Sequence, residues 1–150
     1  TPISSSRIRK ALAQSDVVEA RRLLGRPYEV SGRVVQGAGR GKGLGFPTAN
    51  VQVKGDLVVG LGVYAVCLSV GARDYSAVAN LGLRPSFNEK IPKVHLEVHV
   101  LNFNRNIYGK DVRVTFIKKI REEQTFESID ALKKQIVLDI LKAKRIHRIK

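Results

Sequence analysis

A chain of 150 residues, 43% hydrophobic and 27% charged, is large enough to bury one sizeable core and has neither a fibrous nor a disordered composition. Its single cysteine, Cys67, excludes an intrachain disulfide, and no apolar run approaches the roughly 20 residues of a membrane helix, so a cytoplasmic protein without membrane contact is expected. The formal charge of +14 admits nucleic acid, an anionic membrane surface or a phosphorylated substrate as partners without choosing among them.

The start, TPISSSRIRK, carries no signal-peptide core and no methionine, so the chain is expected to be a piece of a longer one. Ser4, Ser5 and Ser6 precede the i, i+4 pair Ile8 and Leu12, which predicts a short serine-capped helix. A second helix is predicted from a cap at Ser15 through Val17, Ala20 and Leu24, ended by a left-handed Gly25. Neither is long enough to form a core alone.

From Pro27 the texture changes to valine-rich segments separated by glycine, and this shift divides the chain into residues 1–25 and 26–150. Strands are predicted at Tyr28 to Gln36, Ala49 to Val53, Gly62 to Val70, Asp74 to Gly82, Val94 to Asn102 and Asp111 to Lys119. Six strands without intervening helices argue against a doubly wound parallel sheet and predict a mainly β fold, a closed or nearly closed six-stranded antiparallel barrel, Greek-key-like. After the last strand, Ser128 can cap a helix whose Ile129, Leu132, Ile136, Ile140 and Leu141 form an apolar stripe against the barrel. The closing KAKRIHRIK reads as a solvated basic helix end rather than a nucleic-acid contact.

Chemistry concentrates in three places. Gly37, Gly39, Gly41, Gly43 and Gly45 alternate through GAGRGKGLG, leaving backbone amides open to phosphate oxygens, with Arg40 and Lys42 supplying charge. The run is not the usual phosphate loop, because Gly43 rather than Ser or Thr follows Lys42; a glycine-rich hairpin is the plainer reading. Thr48 and Asn50 come next, two hard oxygen donors on one side of an extended segment begun by Pro47, as magnesium prefers; alone they would be a turn threonine and a strand asparagine. In Val94 to Leu101, alternation puts Val94, Leu96, Val98 and Val100 on one face and His95, Glu97, His99 and Leu101 on the other. Glu97 is therefore either a solvated strand carboxylate or a base. The three histidines show no metal-like clustering.

Gly32 to Asn50, GRVVQGAGRGKGLGFPTAN, resembles the nucleotide-binding signature of riboflavin kinases, in particular the kinase module of bacterial bifunctional riboflavin kinase and FAD synthetases. Ala79 to Phe87 (ANLGLRPSF, with Ser86 for threonine) resembles the family's Asn-x-Gly-x-x-Pro-Thr-Phe segment, and Glu97 to Gly109 its catalytic strand and Tyr-Gly turn. Arg121 to Phe126, REEQTF, resembles its Arg-x-Glu-x-x-Phe flavin segment, and all these blocks occur in family order.

The resemblance implies an ATP-dependent kinase that converts riboflavin to FMN with Mg²⁺. It implies phosphate contacts at Gly37 and Lys42, magnesium ligands Thr48 and Asn50, and Glu97 as general base. It further implies adenosine near Val100, Asn102 and Tyr108, and the isoalloxazine ring near Arg121, Gln124 and Phe126, although Phe126 is equally a candidate helix-docking residue. Ile3 to Leu12 and Leu23 to Tyr28 resemble the junction with an adenylyltransferase module, which makes residues 1–25 a helical remnant of that module. The adenylyltransferase's own His-x-x-His-type motif is not in the chain, so no FAD synthesis is expected from it. Two rivals remain: a nucleic-acid-binding barrel, weakened by an aromatic content of only 6%, and a flavin binder without turnover, which would need neither base nor metal.

Overall fold

The computed structural model describes residues 5–36, 45–84 and 93–150. Two helices, α1 (Ser5–Ala13) and α2 (Val17–Leu24), lead into six strands: β1 (Glu29–Val35), β2 (Ala49–Val53), β3 (Gly62–Val70), β4 (Arg73–Arg84), β5 (Lys93–Val100) and β6 (Asp111–Arg121). A final helix, α3 (Ile129–His147), follows. The strands close into a barrel in the order β1-β2-β5-β4-β3-β6, every neighbouring pair antiparallel. Closure satisfies both edges of every strand, so no open edge is left to template aggregation.

Period-two alternation decides what fills the barrel. Val34, Val51, Leu96 and Leu81 follow one another around the wall through the pairs Val34↔Val51, Val51↔Leu96 and Leu81↔Leu96, all buried. Tyr64 and Phe116, both essentially inaccessible, meet edge to face at 5.1 Å inside. Each such side chain contributes on the order of 1.5–3 kcal/mol through burial. Val94 shares the inward side but, like its partner Leu83, lies at the rim and is exposed.

The leading helices join this core: Ala11, Leu12, Val17 and Ala20 belong to the barrel's cluster, and the Gly60 amide donates to Leu12 O at 2.8 Å. Packing therefore crosses the textural break at residue 25. Gly25 ends α2 in the left-handed region (φ 77°), donating to Arg21 O. The cap of α2 is Asp16, not the expected Ser15: Asp16 Oδ1 accepts from the Glu19 amide at 3.0 Å, while Ser15 is itself left-handed (φ 63°) and closes the turn after α1. A carboxylate one residue further on outcompetes the serine hydroxyl for the free amide.

Helix α3 lies on the outer face of β3, β4 and β6, where Ala143, Ile140 and Ile146 meet Val63, Ala65, Val78 and Ile120. Cover on both faces explains why β3 reads as a nearly continuous apolar run. Ser128 caps α3 as expected, its hydroxyl accepting from the Ala131 amide at 3.1 Å. The expected stripe is shifted: Ile129 and Leu141 are exposed, and the inward positions are Asp139 and Ala143 with Ile136, Ile140 and Ile146 partly buried. Ile129 lies in the first turn, and Leu141 stands about 100° round the helix from Ile140. Lys142 Nζ, donating to Ile120 O at 3.1 Å, and His147 Nε2, 3.3 Å from Ala77 O, add polar ties.

Candidate active site

The outward side of the barrel carries a cross-strand row that is polar from β2 to β4. Val35 of β1 pairs with Asn50 of β2, Asn50 with Glu97 of β5, and Glu97 with Asn80 of β4. Directly opposed residues of antiparallel strands lie about 4.5–5.5 Å apart at Cβ, so Asn50 and Asn80 each stand within reach of Glu97. Glu97 points away from the Leu96 and Val98 side, as alternation predicted, and is partly buried with its Oε1 shielded from solvent. A carboxylate there, in register with an asparagine on either side, is placed to accept a proton from a hydroxyl brought to it.

Thr48 lies two residues before Asn50, hence on the same side, and its approach is fixed from β5. His99 Nδ1 lies 2.8 Å from Pro47 O, and the His99 ring meets Phe46 edge to face at 6.0 Å. Because a carbonyl can only accept, Nδ1 carries the proton in this contact. No local pattern around His99 points to this contact, because its partner lies 52 positions away.

Beside this row opens a cleft of about 790 Å³. Val34, Val98 and Val100 form its floor, Pro47 to Asn50 one wall, and Phe103 to Tyr108 the other. The second wall is pinned to β1, Gly109 donating to Val34 O at 2.8 Å and the Val34 amide to Lys110 O at 3.0 Å, and is braced within itself by the Tyr108 amide donating to Asn106 Oδ1 at 2.9 Å. The cleft thus brings together Thr48, Asn50, Val100 and Tyr108. Asn102 does not line it; the residue is exposed in a left-handed turn (φ 53°) just past β5. Gly37 and Lys42 lie outside the described residues, although Gln36, immediately before Gly37, lines the cleft.

The donor set fits magnesium delivered with a nucleotide. Thr48 and Asn50 offer a hydroxyl and an amide oxygen next to the Glu97 carboxylate, and among the described residues no group of three or more His, Cys, Asp or Glu could cage an ion. Such a site supplies a few hard oxygen ligands and leaves the rest to phosphates and water.

The third expected cluster lies further round. Through Asn80↔Val63 and Val63↔Arg121, Arg121 is three strands from Glu97, halfway round the closed barrel and about 14 Å measured along its wall at the usual strand spacing. The segment after β6 folds back, however, and sets the Glu123 carboxylate against Gly82, where any Cβ would collide with it. Arg121 is held by Asp139, donating Nε to Oδ1 and Nη2 to Oδ2 at 2.9 Å each, and its guanidinium lies over Phe126 at 5.6 Å. Gln124 is exposed and Phe126 partly buried. Asp139, missed in the sequence, is a buried acid on an otherwise apolar helix face. Cys67 lies outside all of this; burial, then the Asp74 carboxylate, push its thiol up, which disfavours the thiolate.

Among the described residues no helix is long and apolar enough to cross a membrane. The family model for riboflavin kinase matches residues 24–147. A bifunctional riboflavin kinase/FMN adenylyltransferase of Pseudomonas fluorescens is 43% identical over 144 residues, 96% of this chain and 46% of that protein. The chain thus spans about half the length of the curated relatives it matches. The crystal structure of riboflavin kinase from Trypanosoma brucei superposes with a TM-score of 0.56 at 25% identity, over 81% of this chain and 80% of that one. A crystal structure named for a macrolide-efflux protein of Streptococcus pneumoniae gives 0.88 at 36% identity, over 95% of this chain and 46% of that one. The efflux name stands against the family match and the sequence relatives, which agree with each other and carry the assignment. By that match over residues 24–147, and by the closed barrel it shares with a solved riboflavin kinase, the chain belongs to the riboflavin kinase family.

Proposed function

We propose that this domain transfers the γ-phosphoryl group of ATP to the 5′-hydroxyl of riboflavin, giving FMN and ADP. The observation that carries the reading is the position of Glu97, paired with Asn50 toward the cleft and with Asn80 toward the segment that follows β6. A nucleotide in the cleft would rest on Val98 and Val100 and against Tyr108, with its phosphates toward Thr48 and Asn50 and the glycine-rich stretch containing Gly37 and Lys42. Thr48 and Asn50 would hold Mg²⁺, which when bound would neutralise charge developing on the phosphates. Asn102 would reach the adenosine only if its turn rearranged.

Riboflavin would lie across β4 with its ring system near Gln124 and Phe126 and its ribityl end at Glu97. Glu97 accepts the hydroxyl proton, the freed oxygen attacks the γ-phosphorus, and the bond to the β-phosphate oxygen breaks as ADP departs. This in-line exchange needs positioning more than covalent participation by the protein.

The relatives are named for a second activity, FMN adenylylation, and we read the present chain as the kinase partner of such a module, working in the cytoplasm. Incubating the purified chain with riboflavin, ATP and Mg²⁺ tests this: FMN should accumulate and FAD should not. Salt-sensitive oligonucleotide binding without riboflavin binding would reverse the reading in favour of a nucleic-acid-binding barrel.

A further inference from the structure

Where β6 ends, helix α3 presents a carboxylate in place of an aliphatic side chain. Asp139 is 4% exposed, on a helix face shared with Ile136, Ile140 and Ala143. Both of its oxygens are taken by the Arg121 fork, and Gln135 Nε2 donates to Oδ1 at 3.0 Å. Arg121 in turn donates Nη1 to Glu122 O at 2.9 Å while its face covers Phe126. One guanidinium therefore joins the helix, the first carbonyl after β6 and the aromatic that ends the segment. A buried ion pair adds little net stability over a well-packed apolar contact, so what this arrangement supplies beyond docking is direction.

We infer that Asp139, steadied by Gln135, is a positioning residue for the flavin side of the reaction: it fixes Arg121, and Arg121 fixes the course of residues 122–126. The inference rests on the riboflavin kinase reading. Arg121 then acts first as a pin within the protein, since its Nε and both terminal nitrogens each donate to a protein oxygen. The consequence is selective. Loosening the fork frees the segment that carries Glu123, Gln124 and Phe126, whereas the cleft walls at Pro47 to Asn50 and Phe103 to Tyr108 are tied to β5 and β1 and do not depend on α3.

The test is Asp139→Asn in the full chain, with riboflavin binding read by quenching of its fluorescence and steady-state constants measured for each substrate. Riboflavin Kd and KM should rise about tenfold while the KM for ATP moves less than about twofold. Arg121→Lys should behave alike, and the double variant should be no worse than the poorer single, because both substitutions break one unit. Riboflavin affinity equal to wild type in a less heat-stable Asp139→Asn protein overturns the inference, leaving a mere helix staple; so does an equal loss of ATP and riboflavin affinity. If Asp139→Asn does not fold, Gln135→Ala decides: a rise of about threefold in riboflavin KM alone is expected, and no rise overturns the proposal. Failure of the wild-type chain to bind riboflavin would instead remove the kinase reading and this inference with it.

Discussion

On the cleft side of Glu97 the protein supplies its polar groups from adjacent positions of one segment; on the other side it assembles them from β4, the end of β6 and helix α3. Thr48 and Asn50 need only an extended backbone to share a side, and His99 braces the carbonyl between Phe46 and Thr48. The opposite flank depends on a side-chain fork between residues 18 apart, Arg121 and Asp139, and on a glycine at 82 that leaves room for Glu123. The first construction inherits its geometry from the barrel. The second must be locked by packing of a separate helix, so it is the flank that perturbation should loosen first.

The largest expected effect falls on the residue that both flanks share. Glu97→Gln keeps shape and one acceptor oxygen but removes proton acceptance, so turnover should fall about 10³-fold while both substrates bind nearly as before. Calorimetric binding of ATP and riboflavin beside single-turnover FMN formation checks it, and undiminished turnover would dismiss Glu97 as the base. Unequal loss of binding to one substrate would show that Glu97 belongs to one flank rather than between them.

Gly32→Ala addresses the cleft flank through its scaffold. A Cβ there would run into the Gln52 carbonyl and the Val51 side chain across the β1 to β2 pair. A carbonyl in a closed ladder cannot step aside, so stability should drop by about 2–3 kcal/mol, read by urea unfolding. ATP affinity should follow, because β1 and β2 carry Val34, Val35 and Asn50 into the cleft.

Much of this was legible in the sequence because it follows from local pattern. Period-two alternation in valine-rich segments gave the barrel, with most strand ends correct to one or two residues, and it put Glu97 on the outward side. What escaped was set by partners distant in the chain. Asp139 reads as an interruption of an apolar stripe until Arg121 is found opposite it, and the stripe was accordingly mispositioned onto Ile129 and Leu141. The bracing by His99 depends on Pro47, and the departure of Asn102 from the cleft depends on a left-handed turn that asparagine tolerates but that the alternation of β5 does not announce. Ser15 and Asp16 both suit a cap, and only the amide of Glu19 distinguishes them.

Thr48→Ala sharpens the contrast on the metal side. Removing one hydroxyl from a set completed by phosphates and water should raise the Mg²⁺ concentration for half-maximal FMN formation about tenfold, with riboflavin KM unmoved. The same magnesium dependence as wild type would take Thr48 out of the ligand set while leaving Asn50 as a candidate.

Gly82→Ala is the smallest and most local probe, and it differs in kind from Gly32→Ala. The atom that a new Cβ would meet at residue 82 is the carboxylate end of Glu123, a flexible side chain that can swing away, so stability should change by less than about 1 kcal/mol. The displaced carboxylate must move outward, and with it the start of the segment that Arg121 directs toward Phe126. Riboflavin KM should therefore rise a few-fold, about 3, while the KM for ATP stays put. Because β4 pairs with β5 through Gly82↔His95 as well as Asn80↔Glu97, a strand-wide disturbance would instead reach Glu97 and lower kcat. Steady-state kinetics separates the two: a KM effect confined to riboflavin places Glu123 and its segment on the flavin flank, and a kcat effect shared by both substrates shows that the flanks are coupled through β4.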